Sequence, residues 1–330
     1  LFLLVTFLIL GQTSAGFIPK PDAANIYFDV SISSSVLVDN GRMDPYGSDP
    51  NDHRKVMVSM YFPIPKDACS YTSPVIYFTG DTAKVSNKQF FDHEDQGVFE
   101  TTMMTACTAT SRLVTNADHP LIILEPNVAT SRLMYSALAQ EWAAGGYAVV
   151  TIDHPSDASI VEFSGPNTRN ETVKNSIQID AFAPARDWNS TVQQAHDTRV
   201  ADISFVINSL AEPNTLQQLL DAGGSGLKLK SSFDINNVAV IGHGFGGTVA
   251  TTLGATDPRV KLSINMGGTA KLDKDTTSNV IFFGRQGASR NDDTNWPTSW
   301  KHLHGLATEY DLQGAGMFDF SDLPLICKVS

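Results

Sequence analysis

VAVIGHGFGGTVA, residues 238–250, reads as an apolar strand, a glycine-rich turn and a run of small residues that opens a helix. A strand that passes through a tight turn directly into a helix is the setting of a nucleophile elbow, Gly-x-Ser-x-Gly. The central residue there is backbone-strained and needs close-packed glycines on either side. Gly242, His243, Gly244, Phe245 and Gly246 fill the five places. The nucleophile place is therefore Gly244, which has no side chain to attack with. A dinucleotide-binding turn also joins a strand to a helix, but it belongs to the first βα unit and needs an acidic residue ending a second strand roughly twenty residues on, which is missing. A structural glycine turn on an unrelated α/β fold is the remaining alternative.

On either side of this stretch, short and often β-branched apolar runs recur, and with it they occupy residues 56–62, 121–124, 147–152, 238–241, 260–264 and 280–283. Helical patterns lie between them. Residues 131–144 put Leu133, Leu138 and Trp142 on one face, and residues 198–210 repeat Val200, Ile203, Val206, Ile207 and Leu210. Strand and helix alternating in this way give an α/β class, with a mostly parallel central sheet flanked by helices. Two polar stretches, at about 70–119 and 164–197, interrupt the rhythm as loop insertions. In a doubly wound sheet such insertions sit over the carboxyl ends of the strands, where ligands bind. No composition shift marks a second domain, so residues 16–330 read as one.

The chain has 330 residues, 42% apolar and 18% charged, with 24 Gly and 16 Pro. These values exclude collagen-like, low-complexity and disordered classes. A chain of this size buries roughly three quarters of its unfolded surface, enough for an enzyme-sized core. The net charge of −12 and the absence of any basic run argue against nucleic acid or an anionic membrane as partner. Residues 1–10 are an apolar block followed by small residues at Thr13 and Ala15, so 1–15 read as a signal peptide and the protein as secreted and extracellular. Ten apolar residues are too few for a transmembrane anchor across a core of about 30 Å. Because the chain opens on Leu1, the basic n-region is missing and the sequence reads as a fragment.

Secretion implies oxidising conditions. Of Cys69, Cys107 and Cys327, the first two lie in the loop-rich N-terminal third and are the expected pair, a closure of about 38 residues that stabilises by roughly 4 kcal/mol in the chain-entropy model. Two sequons, at Asn170 and Asn189, are candidate glycosylation sites.

From about residue 55 to 325 the chain resembles the secreted platelet-activating factor acetylhydrolase-like esterases, a family of α/β-hydrolase fold. Five landmarks carry the resemblance in the family's order. A Pro-Gly-Phe-Gly-like loop before a Ser-Arg-x-x-Tyr helix corresponds to Pro126-Asn-Val-Ala129 before Ser131-Arg-Leu-Met-Tyr135. A Gly-Tyr strand ending in Asp-His-Pro corresponds to Gly146-Tyr147 and Asp153-His154-Pro155. Gly-His-Ser-Phe-Gly-Gly corresponds to residues 242–247 except at the Ser, and Phe-Ser-Asp-Leu-Pro to residues 320–324.

The resemblance implies a carboxylic ester hydrolase acting on lipid or short-acyl esters, with a Ser-His-Asp triad and no cofactor. Its nucleophile falls on Gly244, its acid on Gly267 and its His on Met317, so all three places are vacant. Ser attacks the acyl carbonyl, His takes and returns its proton, and the acid orients the His. Because they act as a unit, losing Ser or His alone costs about as much as losing all three, on the order of 10⁶ in turnover. The oxyanion hole is made of backbone N–H groups, here those of Phe245 and Val128, and these donors survive side-chain loss. A cleft-bearing fold without its nucleophile is the expectation, with glycine at 244 relieving the strain of the elbow.

Other residues offer substitutes. His302 and His304 are nearest the vacant His place but lie upstream of it, and no carboxylate or Cys is arranged with them as a metal site would need. His243 reads as a packed, hydrogen-bonded elbow residue and Thr248 as bonded within its helix. Asp153 and His154 read as support for the loops around the cleft, and Arg199 with Asp202 as a surface ion pair. The leading expectation is a non-catalytic protein that binds an apolar ester, lipid or protein partner. The rivals are an active acetylhydrolase or carboxylesterase using substitute residues, and a non-hydrolytic lyase or cyclase.

Overall fold

Each of the six apolar runs lies on a strand of one sheet, to within a residue at Tyr147. The computed structural model describes residues 16–21, 27–92, 97–110, 114–163, 170–179, 188–293 and 295–329. The signal-peptide stretch 1–15 lies outside the described residues, as do parts of both insertions.

In chain order the described strands and helices are β1 (Phe28–Met43), β2 (His53–Pro65), β3 (Cys69–Ile76), α1 (Gly80–Phe91), α2 (Val98–Thr101), β4 (Met103–Thr110), β5 (Val114–Thr115), β6 (Leu121–Glu125), α3 (Ser136–Ala144), β7 (Ala148–Asp153), β8 (Ile160–Phe163), β9 (Glu171–Lys174), α4 (Ser190–Ala211), α5 (Pro213–Asp221), β10 (Lys228–Leu229), β11 (Val238–His243), α6 (Phe245–Thr256), β12 (Val260–Met266), β13 (Asn279–Arg285), α7 (Trp296–Trp300), β14 (Ala307–Leu312) and α8 (Leu323–Val329). The main sheet has eight strands in the order β1-β2-β7-β6-β11-β12-β13-β14. β2 is antiparallel to both of its neighbours, and all pairs from β7 to β14 are parallel. This is the mostly parallel, helix-flanked sheet of an α/β-hydrolase fold.

The central strands β6 and β7 are buried along their whole length, which is why they read as continuous apolar runs rather than alternating ones. One face of the sheet packs against α4, α5 and α6 through Ile203, Leu216, Val249 and Leu253. The other packs against α3 and α8 through Ala139, Ala143 and Ile326. The chain crosses from β6 to β7 on one side and continues from β11 on the other, so the topological switch point lies between the carboxyl ends of β6 and β11.

The first polar stretch is not a bare loop. It holds the β3–β4 pair, joined by a Cys69–Cys107 disulfide, with α1 and α2 between the two strands. Helix α1 reaches the switch point, where Gln89 Nε2 donates to the Ala129 carbonyl at 2.8 Å and the Phe90 ring meets Phe318 edge-on. In the second stretch β9 pairs with β8, and α4 begins at Ser190, eight residues before the periodicity suggested, capped by the Asn189 side chain accepting from Val192 N–H.

Candidate functional site

β11 hands over to α6 at Gly244, whose backbone has φ 55° and ψ −120°. That region costs a non-glycine residue of order 1 to 3 kcal/mol, so glycine keeps the elbow conformation without the strain. The flanking glycines are required by contact. A Cβ on Gly242 would stand 2.1 Å from the Gly246 carbonyl oxygen, and one on Gly246 would stand 2.5 Å from that of Glu125.

A Cβ on Gly244 would stand 2.2 Å from Oδ1 of Asn127. The space a nucleophile would need is therefore filled by the side chain that follows Pro126. The same Oδ1 accepts from Phe245 N–H at 3.0 Å and from Val128 N–H at 2.9 Å. These are the two donors assigned to the oxyanion hole, so they do converge, but on an amide carbonyl belonging to the protein itself. Asn127, Val128 and Phe245 are all buried. The open cleft expected at this point is closed. Asn127 was legible as the residue standing where the resembling loop has Gly, yet nothing local signalled that it would reach a turn 118 residues away.

The other two vacant places lie alongside. Gly267 follows β12 with φ +70°, and a Cβ there would stand 3.2 Å from the Phe320 ring. The next residue packs so closely that a Cβ on Gly268 would be 1.9 Å from the Gly244 carbonyl. Met317 begins a 3-10 turn, and its carbonyl accepts from His243 Nε2 at 2.6 Å. That bond sets the tautomer. His243 Nδ1 then accepts from the Tyr135 hydroxyl at 2.7 Å, and that hydroxyl accepts from Asn127 N–H at 3.0 Å. Burial lowers the His243 pKa to about 4, keeping the ring neutral. With both nitrogens engaged, His243 is a structural strut between Asn127 and Met317.

Beneath the Asn127 loop lies a buried ionic network, where the sequence suggested a surface pair. Arg199 and Asp202 are 1% and 0% exposed and do not pair with each other. Arg199 binds Glu125 at 2.8 Å and Asp157 at 2.5 Å, and donates to the Pro126 carbonyl at 2.7 Å. Asp202 binds Arg54 at 2.7 Å, Arg42 at 2.8 Å and His154 at 2.8 Å. Burial alone would raise the Asp202 pKa, but Arg54 and His154 outweigh it and hold the carboxyl well below its usual range. Burial likewise disfavours charge on His154, yet Glu125 and Asp202 on its two nitrogens lift its pKa to about 9. An i, i+3 pair on a helix looks solvent-facing in sequence; here the partners come from β1, β2, β6 and the loop after β7 and draw both side chains inward.

Asp153 accepts from the backbone N–H of Arg132 at 2.5 Å and pairs with its guanidinium, fixing the start of the 3-10 turn that leads into α3. Thr248 differs from expectation: its hydroxyl is buried with no hydrogen-bond partner among the described residues. His302 and His304 do have a carboxylate arranged with them. Asp275, from the loop before β13, contacts both, at 2.8 and 3.3 Å. Among the described residues no group of three or more His, Cys, Asp and Glu is placed to hold a metal ion, and no helix is long and apolar enough to cross a membrane. One hydrogen-bonded chain has triad-like order: Thr252 Oγ1 to His196 Nε2 at 2.9 Å, and His196 Nδ1 to Asp197 at 3.0 Å. Asn170 and Asn189 are both exposed, and Cys327 is an exposed thiol.

A family model described as platelet-activating factor acetylhydrolase, isoform II, matches residues 47–270. The chain is 27% identical to a probable 1-alkyl-2-acetylglycerophosphocholine esterase of Arthroderma benhamiae, over 95% of this chain and 78% of that protein. It is also 27% identical to the platelet-activating factor acetylhydrolase of Cavia porcellus, over 47% of this chain and 36% of that enzyme. A ferulic acid esterase from Streptomyces cinnamoneus has a similar structure, with TM-score 0.71 at 22% identity over 96% of this chain and 82% of the other, which speaks for the fold alone. The match spans β2 through β12, including the elbow and the Asn127 loop, and the chain belongs to the platelet-activating factor acetylhydrolase, isoform II, family.

Proposed function

We propose that this chain is a secreted, non-catalytic member of its family that binds an apolar ester, lipid or protein partner rather than hydrolysing an ester. One observation carries the reading: Asn127 Oδ1 lies where a nucleophile at 244 would project and accepts both donors that a transition-state oxyanion would need. Acyl transfer requires an attacking atom, a base to take its proton and free donors aimed at the developing oxyanion. The first two are wanting at Gly244 and Met317, and the third is satisfied internally. The leader-like stretch at 1–15, the Cys69–Cys107 bridge and two exposed sequons support passage through an oxidising, glycosylating compartment. Intact-mass analysis after exposure to a fluorophosphonate tests the catalytic half, and no adduct is expected. A single stoichiometric adduct on a serine or threonine would overturn it.

The Thr252–His196–Asp197 chain favours a second reading, an esterase with substitute residues. Thr252 stands in the third turn of α6, where backbone N–H groups are committed to helical bonds, so its own helix offers it no oxyanion donors. An adduct on Thr252, lost in His196→Gln, would identify this alternative.

A further inference from the structure

A groove of about 450 Å³ lies on the α3 side of the sheet, walled by Ile18 to Pro21 of the N-terminal segment, by α3 and by residues 319–325. The Phe320 ring that would meet a Cβ on Gly267 forms one wall, so the groove backs onto the vacated centre without including Gly244 or Asn127. Its lining is mostly apolar, with Leu138, Trp142 and Phe320 offering aliphatic and aromatic surface. Among the described residues its charged lining is Asp319, Asp322, Glu141 and Lys20.

Asp322, from the Phe-Ser-Asp-Leu-Pro landmark, makes this a built site. It is 5% exposed and accepts from the backbone N–H groups of Ala137 and Leu138, at 2.8 and 3.1 Å, and from the Tyr77 hydroxyl. Three donors leave one acceptor position of a carboxylate's four. No basic side chain is paired with Asp322 among the described residues, whereas buried Glu125, Asp153, Asp157 and Asp202 each pair with an Arg. Burial pushes its pKa up to about 7, the mark of a carboxylate whose charge lacks a counterion.

We propose that this groove binds a cationic amphiphile, its apolar chain along Leu138 and Trp142 and its positive head between the aromatic rings and the carboxylates of Asp319 and Asp322. Aromatic faces and uncompensated carboxylates both favour a weakly hydrated cation, and both disfavour an anion of the same length. The net charge of −12 works in the same direction. The proposal gives the binding half of the proposed function a ligand class and a place. It is judged separately from the catalytic half, because the groove includes neither Gly244 nor Thr252 and its occupancy is read by binding rather than by a covalent adduct.

The test is calorimetric titration at pH 8 and low ionic strength with octyltrimethylammonium, octanoate and octanol below their aggregation limits. Saturable one-to-one binding of the ammonium is expected, with the other two at least tenfold weaker. Asp319→Asn, an exposed substitution that leaves the core untouched, should weaken the ammonium at least threefold, and Leu138→Arg, at a half-buried position that also packs against the core, should abolish binding in protein whose circular dichroism melt remains cooperative. Octanoate or octanol binding as tightly as the ammonium, or Leu138→Arg binding normally, would overturn the proposal.

Discussion

Asn127 and Gly244 are complementary: the oxygen of one occupies the place of the other's missing side chain. Gly244→Ser should therefore do more harm than a surface change. It brings the positive-φ cost of roughly 1 to 3 kcal/mol and pushes Asn127 off two hydrogen bonds, another 1 to 3 kcal/mol or so. Adding Asn127→Gly removes the collision, so a double-mutant cycle read by chemical denaturation should show favourable coupling above about 1 kcal/mol. Additivity would mean the two positions do not compete. The same reasoning bears on reactivation. Gly244→Ser, Gly267→Asp and Met317→His together should remain inactive until Asn127→Gly frees Phe245 and Val128 N–H; p-nitrophenyl butyrate turnover by the triple variant alone would refute this. Gly244 at the centre of the elbow was legible in sequence because the elbow is a local motif, whereas Gly267 and Met317 were singled out only by the family resemblance. The bonds from Asn127 Oδ1 to Phe245 and Val128 N–H were not legible, because they exist only once the ends of β6 and β11 lie side by side.

At the scale of elements, the loop after β6 is held by α4. Arg199 reaches from that helix to Glu125, to Asp157 and to the Pro126 carbonyl, so Arg199→Met leaves two buried carboxylates short of a cation. A loss of about 3 to 5 kcal/mol is expected from denaturant titration, and an unchanged midpoint would show that the network has slack. His154 adds a pH signature. Its folded pKa of about 9 lies above the unfolded 6.5, so its contribution is complete below about pH 6.5 and fades as pH rises through 9. The shift corresponds to roughly 3 kcal/mol. His154→Gln should flatten the stability profile between pH 7 and 10, and a parallel profile would count against the assignment. Asp322 acts in a lower window: its folded pKa of about 7 exceeds 3.8, so stability falls as pH rises from about 4 to 7. None of this could be read from Arg199 and Asp202 three residues apart on a helix, because their partners come from other elements. Strand β1 escaped for a related reason: Ser31, Ser33, Ser34 and Ser35 dilute its alternation, and antiparallel pairing with β2 supplies what apolar character does not.

For the whole molecule, the alternation of apolar runs and helical patterns was enough to give the class, because parallel strands buried on both faces cannot hide their composition. What composition could not convey is closure: the core is intact while the site at its switch point is sealed by a polar side chain. The Cys69–Cys107 bridge closes a 38-residue separation, so its reduction should lower stability by roughly 4 kcal/mol in the chain-entropy model; a melting temperature insensitive to reductant would show that the β3–β4 pair does not need it. Whether Asn127 takes the place of a reacting oxyanion in this family member is read from steady-state hydrolysis of p-nitrophenyl butyrate by the purified, unmodified protein. The expected rate is no greater than that of the Asn127→Asp variant, with no saturation by substrate. Saturable turnover at ordinary esterase rates, on the order of 1 to 10³ s⁻¹, would contradict it.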